Sequence, residues 1–313
     1  RVAVLCQPTT QTLADAYASG LATSGVRSRG YTLPDGEAAK TFTTVEDVIG
    51  RLAEDGFTRG DAIIAVGGGA LTDAAGFIAA TFMRGVDVIY LPTTLLGAVD
   101  AAIGGKTAVN VAGKNLAGAF RHPGAVLIDV DVLDRLPASL RAEGAAEAIK
   151  TGFIADMEIV REYEADPTTP DLEQVVNRCV AVKAAVVSDD FRESDRRAIL
   201  NYGHTVGHAV ETVVGLRHGS AVSVGMVAAG GAAEFAVGFT GNERQRTVLG
   251  SVGLPTDIDP DTPRQALMAQ IAFDKKRDRT GLRMVLLEDF ASPVVVPVDD
   301  ATVAAAFTAI GLT

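Results

Sequence analysis

The spacing of hydrophobic and polar positions changes character near residue 137. Before it, short apolar runs alternate with stretches of helical period. The runs are "RVAVLC", "DAIIAVGGG", "VDVIYLPTT" and "GAVLIDV". Runs with little polar alternation predict parallel strands buried on both faces. "RSRGYTLP" predicts a further strand, and helices are expected over 10–24, 44–55 and 70–82. After 137, long amphipathic stretches dominate, over 139–154, 172–188, 195–214, 221–239 and 263–273. Only "GLRMVLLED" and "PVVVPV" read as strands there. The pattern predicts an α/β, Rossmann-like parallel-sheet domain over 1–136 and a mostly helical domain over 137–313. The cleft between them is the expected place for a site.

Composition fits this picture. A chain of 313 residues suits two domains, and 48% apolar residues suffice for two cores. The formal net charge of −11 argues against nucleic acid or an anionic membrane as partner, because polyanions would be repelled. An anionic small molecule must therefore be drawn by a local cluster of Lys and Arg. The longest apolar stretch, "AVSVGMVAAGGAAEFAVGF", carries Glu234 and predicts a buried helix, not a membrane span. Two distant cysteines, Cys6 and Cys179, make no disulfide framework and point to a reducing cytoplasm. The chain opens at Arg1 directly into a strand pattern, which reads as a missing natural N-terminus.

Several segments carry candidate chemistry. "AVGGGALTDAAGF" puts Gly67, Gly68 and Gly69 between a buried strand and a helix. Bare backbone there can approach a pyrophosphate at the helix N-terminus, although a ligand-free tight turn would have the same composition. The stretch 91–120 is too rich in glycine for a regular helix and too long for an ordinary loop. It presents Asp100, Lys106, Asn110, Lys114 and Asn115, side chains suited to phosphate and hydroxyl groups. In "EGAAEAIKTGF", Glu147 and Lys150 stand among small apolar residues; if that helix is buried, the carboxylate needs a partner or a metal.

Three of the four histidines lie between 204 and 218, in "NYGHTVGHAVE" and "HGSAV". His204 and His208 share one face if the segment is helical, so spacing alone leaves open that both bind one metal. One carboxylate and two imidazoles would make a Zn²⁺ site with an open position. "HTVGH" lacks the glutamate of H-E-x-x-H, so a metalloprotease is not supported. Lys183, Arg197, Lys275 and Lys276 could add a basic group.

Taken in order, "GGGALTDAAGF", "FMRGV", "LPTTLLGAVDAAIGGKTAVN", "GKNLAGAF", "GAAEAIK", "LNYGHTVGHAVE" and "HGSAV" resemble the sugar phosphate cyclase superfamily, and within it most closely the 3-dehydroquinate synthase family. The resemblance runs from about Pro34 to Lys276. It implies that Glu147, His204 and His218 hold a catalytic Zn²⁺, with Co²⁺ also suited to the set. It implies NAD as second cofactor: Glu37 and Lys40 toward the adenosine, Gly67, Gly68, Gly69 and Asp73 at the pyrophosphate, and Thr93 and Thr94 near the centre. Asp100 and Lys106 would meet cofactor and substrate. Lys150, Lys183 and Asn201 would bind substrate hydroxyls and the carboxylate region, and Arg197 the carboxylate. Lys114, Asn115, His208 and a C-terminal lysine, Lys276 in preference to Lys275, would lie near the phosphate. Arg84 would reach the neighbouring subunit's site, which implies a homodimer.

The reaction so implied turns a phosphorylated keto-acid sugar, 3-deoxy-D-arabino-heptulosonate 7-phosphate, into 3-dehydroquinate and phosphate. It proceeds by transient oxidation, elimination, reduction and aldol closure, with NAD regenerated. Arg135 and Leu140 depart from the family's pattern in "RLPASL", "CQP" replaces an acidic residue near the ribose, and the stretch between Glu211 and His218 is short. Other cyclases, an aminodehydroquinate-forming enzyme, a metal-dependent polyol dehydrogenase of similar architecture and a non-catalytic NAD-binding regulator remain as rival readings. Asn201 with His208 favours 3-dehydroquinate synthase among the cyclases.

Overall fold

The structure is a computed structural model and describes residues 1–193, 196–275 and 282–312. The chain forms two compact units, Arg1–Leu136 and Pro137–Thr313.

The first unit alternates strands and helices: β1 (Val2–Cys6), α1 (Gln11–Thr23), β2 (Ser28–Thr32), α2 (Phe42–Glu54), β3 (Ala62–Gly67), α3 (Gly69–Thr81) and β4 (Asp87–Pro92). An antiparallel hairpin follows, β5 (Lys106–Val109) with β6 (Ala117–Phe120), then β7 (Ala125–Val126) and the short α4 (Val130–Asp134). Among the described residues the main sheet has five parallel strands in the order β2-β1-β3-β4-β7. Alternate residues of each strand feed opposite cores. Ala3, Leu5, Ile63 and Ala65 share one with Val45, Val48 and Leu52 of α2 and Ala74, Ala75 and Ile78 of α3. Val4, Cys6, Ile64 and Val66 share the other with Ala14, Leu13 and Tyr17 of α1. Burial on both faces is why these strands are written as continuous apolar runs. The order reverses between β1 and β3, which makes the crevice beyond their carboxyl ends the switch point where such sheets take ligands.

The second unit contains α5 (Ala138–Ile154), α6 (Met157–Ala165), α7 (Leu172–Asp189), α8 (His204–Val214), α9 (His218–Ala236), α10 (Asn242–Ser251), α11 (Arg264–Lys275), the hairpin β8 (Arg283–Asp289) and β9 (Ser292–Pro297), and α12 (Asp300–Ala309). Helix α9 is its axis, packed by α5, α8, α10, α12 and β8. It is buried from Ala221 to Ala233 and emerges at Glu234. This is the apolar stretch expected to be an interior helix, and no described helix is long and apolar enough to cross a membrane.

Three expectations change. The stretch 195–214 is not one helix: Arg196–Asn201 forms a 3₁₀ turn, and α8 begins only at His204. Gly203 separates them in a left-handed conformation, φ 78°, with Gly225 of α9 packed against its carbonyl. Asn201 is therefore not on the helical face that carries His204 and His208. The segment 91–120 is more ordered than its glycines suggest, folding as a π-turn, Gly97–Ala101, followed by the β5–β6 hairpin. "GAVLIDV" contributes only two ladder residues, since β7 pairs with β4 only at Ala125 and Val126.

Candidate metal centre and nucleotide-binding elements

Helices α5, α8 and α9 each contribute one donor to a cluster in the second unit. Glu147, His204 and His218 bring ligand atoms within 4.8 Å of one another. Nε2 of His204 lies 3.5 Å and Nε2 of His218 3.2 Å from the same Glu147 oxygen, Oε1. The other nitrogen of each ring is held behind. His204 Nδ1 meets the Tyr202 carbonyl at 3.1 Å, and His218 Nδ1 meets Glu211 Oε2 at 3.3 Å. Acceptors at Nδ1 favour a proton there, so Nε2 is the nitrogen each ring would offer to a cation.

The charges of the cluster are set by its surroundings. Glu147 is 1% exposed and ion-paired with Lys150, itself 2% exposed. Burial alone would raise the Glu147 carboxyl, but Lys150, His204 and His218 hold it well below its ordinary value. Burial, followed by Lys150, His208 and His218, lowers His204 to about 3 against the pull of Glu147. Burial would also lower His218, yet its hydrogen bonds to Glu147 and Glu211 and their charges raise it to about 10. Burial thus favours the neutral form of His204, while the two carboxylates favour the charged form of His218. This donor set, one carboxylate and two imidazoles, suits a tetrahedral divalent ion with an open position.

His208 stands apart from that set. Its ring lies 5.1 Å from His204 and 6.3 Å from His218, centroid to centroid, and it is exposed. Lys183 and Arg197 are buried in the same unit. The Arg197 backbone N–H donates to Asp190 at 3.1 Å, and its guanidinium donates to the Phe191 carbonyl at 2.7 Å. Asn201 is exposed and donates to Glu193 Oε1 at 2.9 Å. Lys276 lies outside the described residues; Lys275 closes α11.

In the first unit, Gly67 ends β3 and α3 starts at Gly69 with Gly68 as a cap that offers no side chain. An uncapped helix start at the switch point fits a pyrophosphate. Thr93 donates its N–H to the Gly67 carbonyl at 3.0 Å, and the Thr94 hydroxyl accepts from Gly97 N–H at 3.1 Å. The ammonium of Lys40, 3% exposed, donates to Asp73 at 2.6 Å and to Asn115 at 2.5 Å. Asn110 donates to Glu37 at 2.7 Å and accepts the Asn115 N–H at 3.0 Å. Thus Glu37, Lys40, Asp73 and Asn115 form one polar network, closed by Asn110. Asp100 sits in the π-turn, Lys106 opens β5, and Lys114 is exposed between β5 and β6. Arg84 is exposed in a strained turn, with φ 50° at Met83, 65° at Arg84 and 124° at Gly85. Arg135 and Leu140 are both exposed.

Two carboxylates escaped the sequence reading. Glu143, one turn before Glu147, accepts the Gly219 N–H at 2.7 Å and the Ser220 hydroxyl at 2.6 Å. Glu211 follows His204 by two turns and so shares its face, the one signal that could have singled it out.

The α/β unit with its switch point and the helical unit with its carboxylate and two convergent imidazoles give the chain the fold of solved sugar phosphate cyclases. The chain belongs to the 3-dehydroquinate synthase family: the family models "3-dehydroquinate synthase N-terminal" and "3-dehydroquinate synthase C-terminal" match residues 30–142 and 144–277. A 3-dehydroquinate synthase of Thermobifida fusca is 47% identical over 322 residues, covering 99% of this chain and 87% of that one. Among solved structures, 2-deoxy-scyllo-inosose synthase complexed with carbaglucose-6-phosphate, NAD⁺ and Co²⁺ aligns with TM-score 0.89 at 28% identity, covering 98% of this chain and 90% of that one. The 2-epi-5-epi-valiolone synthase of Streptomyces hygroscopicus subsp. jinggangensis, with NAD⁺ and Zn²⁺ bound, aligns with TM-score 0.91 at 26% identity, covering 99% and 90%.

Proposed function

We propose that the chain converts 3-deoxy-D-arabino-heptulosonate 7-phosphate into 3-dehydroquinate and phosphate, the reaction of its family. The observation that carries this reading is the convergence of His204 Nε2 and His218 Nε2 on the buried Glu147 carboxylate, with Lys150 beside it. Glu147, His204 and His218 would hold Zn²⁺ or Co²⁺. NAD would lie on the first unit, its pyrophosphate at Gly67, Gly68, Gly69 and Asp73, its centre at Thr93 and Thr94, and its adenosine toward Glu37 and Lys40. When bound, the two supply a Lewis acid and a reversible hydride acceptor.

The chain's own groups bind and orient the substrate. Lys150, Lys183 and Arg197 are buried cations, which recognise a carboxylate and hydroxyls more strongly than exposed ones because little water competes. Asn201, Asp100 and Lys106 complete the hydroxyl contacts. Lys114, Asn115, His208 and Lys276 receive the phosphate. In this reading the buried cations of the second unit would draw an anionic substrate to a protein whose net charge is −11. Holding one flexible substrate through successive steps is an orientation effect. Arg84, presented by its strained turn, reaches the neighbouring site in a homodimer. Cys6 and Cys179 are buried and outside any disulfide, which supports a cytoplasmic setting.

Incubation with the heptulosonate phosphate, catalytic NAD⁺ and Zn²⁺ tests the proposal. Phosphate and dehydroquinate should form in equal amounts with no net NADH. Absence of phosphate, or NADH formed in proportion to substrate, would overturn it.

A further inference from the structure

We infer that Glu211 is a positioning residue for the metal centre, setting the tautomer and aim of His218. The inference rests on the metal reading of Glu147, His204 and His218. His204 and His218 solve one problem in different ways. Each ring must keep a proton on Nδ1 so that Nε2 is free to bind a cation. For His204 the acceptor is the backbone carbonyl of Tyr202, at 3.1 Å. For His218 it is a side chain, Glu211 Oε2, at 3.3 Å.

The need differs because the helices differ. His204 follows the Gly203 turn, whose backbone places the Tyr202 carbonyl within hydrogen-bond reach of Nδ1. His218 is the first residue of α9, and its N-cap, Arg217, makes no side-chain cap. The ring is one-third exposed, so water competes for Nδ1 unless a stronger acceptor holds it. Glu211 reaches it from α8, two turns past His204, with its own side chain only 14% exposed. Helix α8 thereby supplies one ligand directly and steadies another. A carboxylate behind a ligating imidazole also makes that imidazole a better donor.

The test measures Zn²⁺ affinity of metal-free protein by chelator competition, in the wild type, Glu211→Ala, His218→Ala and the double variant. Glu211→Ala should bind about tenfold more weakly or worse. In the His218→Ala background the same change should add nothing, because the group it acts through is gone. Glu211→Asp keeps the charge but withdraws the oxygen from Nδ1, and should also weaken binding; it carries the test if the alanine variant does not fold. The visible spectrum of the Co²⁺ form should shift in Glu211→Ala. Wild-type affinity in both Glu211 variants, or an equal loss with and without His218, overturns the inference. Wild-type affinity in His218→Ala would instead overturn the metal reading itself.

Discussion

Glu143 on α5 accepts the backbone N–H of Gly219, the second residue of α9, at 2.7 Å, and the Ser220 hydroxyl at 2.6 Å. One turn further along α5 stands Glu147. A single helix therefore carries one member of the cluster and the anchor for the helix that carries another. Glu143→Ala should cost about 1–2 kcal/mol, as for loss of a helix cap, and should weaken metal binding by displacing His218. Gly219→Ala tests the same joint from the other side. A methyl group there would come within 2.7 Å of Glu143 Cα, and overpacking of this kind costs about 1–3 kcal/mol. Urea unfolding with and without Zn²⁺ measures both.

His204 and His208 should behave differently despite their spacing. His204→Ala removes a donor facing Glu147 and should abolish stoichiometric Zn²⁺ binding. His208→Ala should keep the metal and lose activity. Atomic absorption on dialysed variants, paired with the phosphate assay, decides; equal metal loss in both would refute the separation.

Lys40 ties the first unit's polar network through Asp73 and Asn115. Lys40→Met would remove the Lys40 ammonium from the Asp73 carboxylate. The expected loss is about 2 kcal/mol, moderate because Asp73 retains some access to water. NAD⁺ affinity should fall as well, which titration of protein fluorescence or calorimetry would register.

Acid should destabilise the first unit through Asp61. Its hydrogen bond with Arg1, then those from the Thr58 N–H and hydroxyl, hold the carboxyl well below the ordinary range. A depressed folded-state value means that the stability it contributes is present above the unfolded value, about 4, and is lost as pH falls below it. Asp61→Asn should therefore flatten the acid limb of a plot of urea midpoint against pH while lowering the midpoint at neutral pH. An unchanged acid limb would count against the pairing.

Much of the architecture was legible because it rests on local pattern. The apolar runs at Ala62–Gly67 and Asp87–Pro92 read as two-sided strands, and Glu147 stood out as a carboxylate among alanines. The break before α8 was not legible. It depends on Gly203 meeting α9 at Gly225, a contact between residues 22 apart that no helical period reveals. Glu143 and Glu211 were hidden for a related reason. A glutamate at helical spacing reads as a solvated surface charge until the start of α9 is placed beside it. The β5–β6 hairpin was masked by its glycines, since Gly118 weakens strand propensity yet lies where a side chain would strike the Thr107 carbonyl.

The contact between Gly203 and Gly225 has one more effect. A methyl group on Gly225 would collide with the Gly203 carbonyl, so α8 and α9 already touch backbone to backbone. The two helices form a calliper whose jaws cannot close further. If a shorter donor replaced His204, such as aspartate, the helices could not move inward to restore its reach. The spacing from which His204 and His218 project is thus set by glycines that carry no chemistry of their own.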